Sequence, residues 1–258
     1  MMRHNNSLKV ATDMFFVKLN WTFGFLGVMF VIQLVRAMIA ILKNSEVDSY
    51  FNAVFVAAGI FMFVVGIIST YFLPYYVEHG VTRIDYFRGA FLSSIGLSIV
   101  LPAITLIISI VWKFILDNFL KLNIKDVDFN TVVEDEPELI GGIVQSFIIN
   151  PYIDPTSNWP LAIAALAANI FIFYLVGWLI GAAFYRNLLT GFVFILIGVV
   201  IITVKDSLLR VALELPLSDG IITIDQFSPT ISALGVLLLI ILAVWLIRQL
   251  TKRVSIKM

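Results

Sequence analysis

Trp159–Phe184 reads WPLAIAALAANIFIFYLVGWLIGAAF, and this stretch contains no charged residue. A helix needs about 20 mostly apolar residues to cross the roughly 30 Å of hydrocarbon in a bilayer. The stretch exceeds that length, and its most polar side chain is the amide of Asn169. It therefore predicts a helix that spans a membrane.

The composition of the whole chain points to the same solvent. An average soluble chain has about a quarter charged residues, whereas only 13 % of these 258 residues are charged and 60 % are hydrophobic. The chain contains no Cys, which excludes disulfide scaffolds and Cys-ligated metal sites. With only two His, His4 and His79, we expect no metal site. The net charge is zero, and nothing in it indicates a nucleic-acid partner.

Five further stretches have a similar apolar character: Trp21–Leu42, Ala53–Phe72, Phe91–Trp112, Leu188–Val204 and Ile231–Leu250. We therefore expect an all-α integral membrane protein with six spans, forming one transmembrane domain over residues 1–258. Residues 21–112 would hold the first three spans and residues 159–250 the last three.

The distribution of charge predicts the orientation. The segments that we assign to the cytoplasm include the basic tail 251–258. Together they contain ten Lys or Arg residues and three acids. The outer segments contain six Lys or Arg residues and fourteen acids, several of them in the long loop 113–158 and the loop 205–230. By the positive-inside rule both termini are cytoplasmic. We expect a multi-pass protein of a bacterial plasma membrane.

The residues before the first span suggest a short helix of their own. In Ser7–Asn20 the residues Leu8, Ala11, Phe15 and Leu19 recur at helical spacing. This pattern predicts that residues 1–20 contain an amphipathic helix in the inner membrane interface. The alternative is a frayed lead-in with accidental periodicity.

The inner loop 73–90, between the second and third spans, carries the strongest local signals. Pro74 weakens the end of the second helix, and Gly80 can adopt the left-handed conformation that stops a helix. Thr82 followed by Asp85 is a helix start signal. We expect a short helix–turn–helix that displays polar and aromatic residues at the inner surface: Glu78, His79, Arg83, Tyr86 and Arg88. Such a loop either anchors the topology or docks a soluble partner.

Glu78-His79-Gly80-Val81-Thr82-Arg83-Ile84-Asp85-Tyr86-Phe87 resembles an element of the six-helix permease subunits of bacterial ABC transporters, of the exporter-type class with separate ATPase subunits. Their pattern is E-x-G-[VI]-[ST]-R-x-x-[FY]-[FY], and in that family this region holds the coupling helix. The resemblance implies that the loop docks an ATPase through eight residues: Glu78, His79, Gly80, Thr82, Arg83, Asp85, Tyr86 and Arg88. The resemblance also implies that Asp206–Leu215 is a short re-entrant helix. From the residues alone, this segment is either an outer cap or an extension of the fifth helix. The long outer loop 113–158 departs from the family.

The resemblance further implies how such a subunit works. It would act as a homodimer or heterodimer with two ATPase subunits, and the partner would bind ATP and Mg, because this chain has no G-x-x-x-x-G-K-[ST] motif. We expect no catalytic residue and no cofactor in this chain, and export of a hydrophobic or amphipathic peptide, lipid or drug. The alternatives are the membrane substrate-binding subunit of a vitamin or micronutrient importer and an intramembrane enzyme.

Few polar residues lie within the expected spans, namely Gln33, Arg36 and Asn169. We consider them for the translocation path or for an interface, since intramembrane polar groups are usually functional. Arg36 lies about 6 Å beyond the midpoint of its span, so it either contacts substrate or reaches the outer interface to pair with Glu46 or Asp48. Small residues at helical spacing, such as those at positions 59, 66, 177 and 181, indicate close helix packing within one subunit or at a dimer seam.

Overall fold

The computed structural model describes residues 6–43, 45–120, 122–125, 151–215 and 227–252. Within these residues the chain forms seven α-helices: α1 (Asn6–Lys43), α2 (Tyr50–Ser69), α3 (Phe72–Glu78), α4 (Arg83–Ile115), α5 (Trp159–Arg186), α6 (Leu188–Ala212) and α7 (Pro229–Lys252). A π-helical turn, Leu116–Leu120, extends α4. Two short parallel strands, β1 (Val47–Asp48) and β2 (Ile124–Lys125), pair beside it.

Six helical segments are long and apolar enough to cross a membrane: α1, α2 with α3, α4 with its π-helical turn, α5, α6 and α7. This confirms the prediction of a mainly helical chain with six spans. The positions of all six agree with the sequence, because a stretch of about 20 predominantly apolar residues is long enough to cross a membrane as a helix. The side on which the termini lie stays a prediction.

Contacts between the helices show that neighbouring spans alternate in direction. Phe25 of α1 stacks on Phe61 of α2 at 4.4 Å between ring centroids, and Trp21 stacks on Phe72 near the end of that segment. The guanidinium of Arg83, at the start of α4, donates to the carbonyl of Lys252, at the end of α7 (3.4 Å). The beginnings of α1 and α4 and the ends of α3 and α7 therefore lie at one end of the bundle, which we call the α3 end.

Helix α5 is the centre of the bundle. Every residue from Asn169 to Ala183 is buried, and α5 contacts α2, α4, α6 and α7. A Cβ atom built on Gly177 would collide with the carbonyl of Phe63 in α2, and one on Gly66 with the carbonyl of Tyr174 in α5. These glycines therefore let the backbones of α2 and α5 touch, which places this small-residue seam within the chain.

The separate amphipathic helix expected over Ser7–Asn20 is not formed. Residues 7–20 are the first part of α1, which runs unbroken from Asn6 to Lys43. The buried face is also different from the predicted one, because Val10 and Met14 are buried whereas Leu8 is 53 % exposed. The spacing of apolar residues indicated a helix correctly. However, α4 packs against a face of α1 that lies beside the predicted one.

The segment Asp206–Leu215 is also different from the expected re-entrant helix. Helix α6 continues without a break to Ala212, which agrees with the alternative reading as an extension of the fifth helix. The fourth and fifth spans are joined by a tight turn, since only Asn187 separates α5 from α6. The acidic run at residues 134–138 and most of the basic tail lie outside the described residues.

Candidate functional site

The turn between α3 and α4 has the local structure that the sequence predicts. Gly80 adopts a positive φ of 80°, a conformation that costs other residues about 1–2 kcal/mol. Thr82 caps α4: its Oγ1 accepts from the backbone N–H of Asp85 at 3.1 Å and donates to the Asp85 carboxylate at 2.7 Å. The break in the second span comes at residues 70–71, and Pro74 is tolerated in the first turn of α3.

The turn exposes most of the predicted docking residues at the α3 end. Glu78, His79, Gly80, Thr82 and Arg88 are exposed, and Arg83 and Asp85 are half-buried. The imidazole of His79 lies against the ring of Tyr75 at 4.4 Å between centroids. Three large apolar side chains, those of Tyr71, Tyr75 and Ile84, are exposed beside them. The surface thus presents Arg88 and aromatic side chains, which are residue types enriched at protein interfaces.

Tyr86 is a correction to the predicted site. Its side chain is only 1 % exposed, and its hydroxyl donates to the carbonyl of Ser69. Tyr76 similarly donates to the carboxylate of Asp13 in α1. Tyr86 is therefore no surface residue: it holds the start of α4 against the end of α2, on the same inward face as Gly89 and Ala90.

Gln33 and Arg36 lie in the half of α1 that is remote from the α3 end. Gln33 is fully buried and donates to the backbone carbonyl of Asp48. Arg36 forms an ion pair of 3.2 Å with the carboxylate of Asp48, and its side chain is 52 % exposed. This confirms the predicted pairing of Arg36 with Asp48. Both residues tie α1 to the connection that leads into α2.

Asn169 takes part in a buried polar group that the sequence did not reveal. Its Oδ1 accepts a hydrogen bond of 2.7 Å from Lys205 Nζ, and the same ammonium lies 4.9 Å from the ring centroid of Phe173. Asp206 and Arg210, one turn apart on α6, pair at 2.9 Å and are almost fully buried. The sequence placed these charges in an outer loop. The i, i+4 spacing of Asp206 and Arg210 was the only sign in the sequence that the fifth span continues as a helix through this segment.

A second buried cation, Lys18, lies between four helices. Its side chain is fully buried, and Nζ donates to the hydroxyls of Tyr174 at 2.7 Å and Ser93 at 3.1 Å. The Tyr174 hydroxyl in turn donates to Ser69 Oγ at 2.9 Å. In the described part of the chain, no carboxylate pairs with Lys18. The sequence assigned Lys18 to the aqueous interface, because a lone Lys ahead of a span usually lies there.

Among the described residues, a cavity lies at each end of the bundle. The cavity remote from the α3 end has a volume of about 1110 Å³ and is lined mainly by polar side chains, including those of Glu46, Asn52, Asp117, Tyr152 and Asp154. Burial, and then the charge of Asp154, raises the pKa of Tyr152, whose neutral hydroxyl donates to Asn52 Oδ1. The smaller cavity, about 300 Å³, is lined at the α3 end by side chains that include Lys9, Asp13, Tyr76 and His79.

Comparison with family models, curated proteins and solved structures finds no match for this chain. Its function is therefore inferred from the contacts and charges described above.

Proposed function

We propose that the chain is the transmembrane permease subunit of an ABC transporter in a bacterial plasma membrane. It exports a hydrophobic or amphipathic substrate and works as a homodimer or heterodimer with two cytoplasmic ATPase subunits. The α3 end faces the cytoplasm and both termini lie there. ATP and Mg bind to the partner, and this chain supplies no catalytic residue.

The observation that carries the proposal is the structured turn between α3 and α4. Most loops between spans display mobile polar side chains, whereas this one is fixed by the Gly80 conformation and by the Thr82 cap. It displays Glu78, His79 and Arg88 beside exposed aromatic side chains. Arg and aromatic side chains are enriched at protein interfaces, so a fixed surface that presents them suits a soluble protein partner.

The same turn is connected to the interior of the bundle, so that force applied to it can reach the spans. Tyr76 joins α3 to Asp13 of α1, and Tyr86 joins α4 to Ser69 of α2. Arg83 joins α4 to the end of α7. When an ATPase closes on its nucleotide, a rigid connection of this kind converts its movement into rearrangement of the helices.

A charge reversal in the turn tests the proposal. We expect Arg83→Glu to lower the recovery of a nucleotide-binding protein with the tagged chain by at least about tenfold, because a like-charge contact at an interface can cost several kcal/mol. The measurement is gentle detergent extraction from native cells, followed by quantitative mass spectrometry of the co-purified proteins.

Arg186→Glu is the matched control, since Arg186 is exposed and ends α5 at the same end of the bundle. It should reduce recovery much less than Arg83→Glu. If the parent chain recovers no nucleotide-binding protein, or if the chain alone hydrolyses ATP, the proposal is wrong. If the parent chain, Arg83→Glu and Arg186→Glu all recover equal amounts of the nucleotide-binding protein, the turn is only a topological anchor.

One observation favours a second candidate, the membrane substrate-binding subunit of a micronutrient importer. Such a subunit needs a polar pocket near the outer face, and the cavity of about 1110 Å³ lies at the end remote from α3. Its size suits a small molecule. Native mass spectrometry of the purified chain distinguishes the two candidates. A stoichiometric small molecule that is lost in an Asn52→Leu variant favours the importer subunit.

A further inference from the structure

Four helices at the α3 end form two tightly packed pairs. In the first pair, the backbones of α2 and α5 touch at Gly66 and Gly177. One turn further along α5, a Cβ atom on Gly181 would lie 2.8 Å from the carbonyl oxygen of Ile67. Contact over several turns leaves little space for either helix to slide or rotate against the other.

The second pair consists of α1 and α4. A Cβ atom on Gly89 of α4 would lie 2.6 Å from Val10 Cγ1 and 2.9 Å from the carbonyl oxygen of Ser7. Two turns further, a Cβ atom on Gly96 would lie 3.2 Å from the ring of Phe15. The contacts advance in the same direction along both helices, so α1 and α4 run parallel and in close contact.

Lys18 joins these two pairs. It belongs to α1, and its ammonium donates to Ser93 of α4, within its own pair, and to Tyr174 of α5, in the other pair. Tyr174 donates onward to Ser69, the last residue of α2. Tyr86 of α4 donates to the carbonyl of the same Ser69. Hydrogen bonds thus reach Ser69 from both pairs.

The chemistry of these contacts allows them to open and close. The Ser93 hydroxyl already donates to the carbonyl of Ala90, and the Tyr174 hydroxyl donates to Ser69. Separation of the pairs therefore breaks the bonds from Lys18 to Tyr174 and from Tyr86 to Ser69, whereas Lys18 keeps Ser93 of its own pair and the Tyr174 hydroxyl keeps Ser69. A buried pair of opposite charges would resist separation more strongly, because each charge would lose its counter-charge in a medium of low dielectric constant.

The position of this group relates it to the turn between α3 and α4. Ser69 is followed by the break at residues 70–71 and then by α3, while α4 begins directly after the turn. The turn therefore connects one helix pair to the other. A displacement of the turn therefore acts on Ser69, at the end of one pair, and on the start of α4, in the other.

We propose that Lys18, Ser69, Tyr86, Ser93 and Tyr174 form a polar latch that holds the two helix pairs together at the α3 end and opens during transport. In this latch Lys18 and Tyr174 are positioning residues: they set the distance between the pairs and touch no reacting group. The opening of the latch by an ATPase rests on the proposed function. The role of the latch in setting the distance between the pairs is independent of that function.

Spin labels can measure this distance, because the chain has no native Cys. One pair of labels, on Cys at Ile84 in α4 and at Arg186 in α5, reports the separation between the helix pairs. Both positions are exposed at the α3 end. Cys at Phe16 in α1, whose side chain is 61 % exposed, and at Ile84 in α4 reports the geometry within one pair. Double electron–electron resonance is recorded on the purified full chain in lipid nanodiscs without any partner.

We expect Lys18→Met to broaden the distances between the pairs and to add a population at longer distance, while distances within the α1–α4 pair stay unchanged. Tyr174→Phe removes only one hydroxyl, so it should broaden the distances between the pairs in the same way but to a smaller extent. Tyr50→Phe is the matched control, since the buried Tyr50 hydroxyl also joins the two pairs, by donating to Leu26 in the remote half of the bundle. It should leave the distances at the α3 end unchanged.

Unchanged distances between the pairs in both Lys18→Met and Tyr174→Phe would overturn the latch. So would an equal change for Tyr50→Phe, because that result would indicate general loosening. The experiment contains no ATPase, and the two proposals can therefore fail independently. Failure to co-purify an ATPase would leave the latch in place, and unchanged distances would leave the docking turn in place.

Discussion

Replacing Lys18 by methionine should change the stability of the chain only slightly, although a fully buried charge is removed. Methionine has a similar length and fills the same space without an ammonium group. Both hydroxyls that accept from Lys18 retain their own donor bonds, Ser93 to Ala90 and Tyr174 to Ser69. The substitution therefore leaves no buried donor without a partner.

Two opposing contributions set the magnitude. A lysine at the centre of a membrane helix costs about 2.5–3.5 kcal/mol on insertion scales. Each hydrogen bond from a charged group returns about 1.5–3 kcal/mol, and Lys18 makes two. The midpoints of these two ranges differ by about 1.5 kcal/mol, so we expect Lys18→Met to lower the free energy of unfolding by about that amount, compared with about 3–5 kcal/mol for breaking a buried ion pair.

Tyr174→Phe should behave differently, because it leaves the ammonium of Lys18 buried with one acceptor fewer. We expect it to destabilise the parent chain by about 2–4.5 kcal/mol, because both the charged bond from Lys18 and the neutral bond to Ser69 are lost. In the Lys18→Met background the same change removes only the neutral bond to Ser69, worth about 0.5–1.5 kcal/mol. The two substitutions should therefore show a coupling energy of at least about 1 kcal/mol.

Unfolding of the parent, the two single variants and the double variant in mixed detergent micelles measures this coupling. Tryptophan fluorescence is a suitable signal, since Trp178 lies one turn from Tyr174 with 6.0 Å between ring centroids. A loss for Lys18→Met larger than that for Tyr174→Phe, or a coupling near zero, would refute the reasoning. Either result would mean that Lys18 is stabilised by something other than the two hydroxyls.

Two further predictions concern the topology and the central helix. With both termini inside, single Cys residues at Ser45 and Ser157 should react with an impermeant thiol reagent in intact cells, and one at Ser255 should not; labelling at Ser255 contradicts the orientation. Gly177→Ala should destabilise the chain by about 1–3 kcal/mol through overpacking, because its Cβ atom meets the backbone of α2. Gly24→Ala is the control: nothing lies within 4 Å of its Cβ position, so thermal unfolding should show a gain of about 0.5–1 kcal/mol.

The membrane spans could be read from the sequence because their signal is local. Long, predominantly apolar stretches located all six, and the cap at Thr82 and the turn at Gly80 follow from the chemistry of adjacent residues. The inward orientation of Tyr86 could not be read in this way. It depends on α1 and α2, which cover one face of α4 and leave the other exposed.

The rule that charged residues mark the ends of spans fails at Lys18 and Lys205, and α5 explains why. Lys18 lies over the ring of Tyr174 at 4.7 Å, and Lys205 over the ring of Phe173 at 4.9 Å. These rings are neighbours in a helix without a charge between Trp159 and Phe184. Their faces, one hydroxyl and the amide of Asn169 provide the negative ends of dipoles that a buried cation needs. The most buried of the six spans is thus the one that accommodates cations from its neighbours.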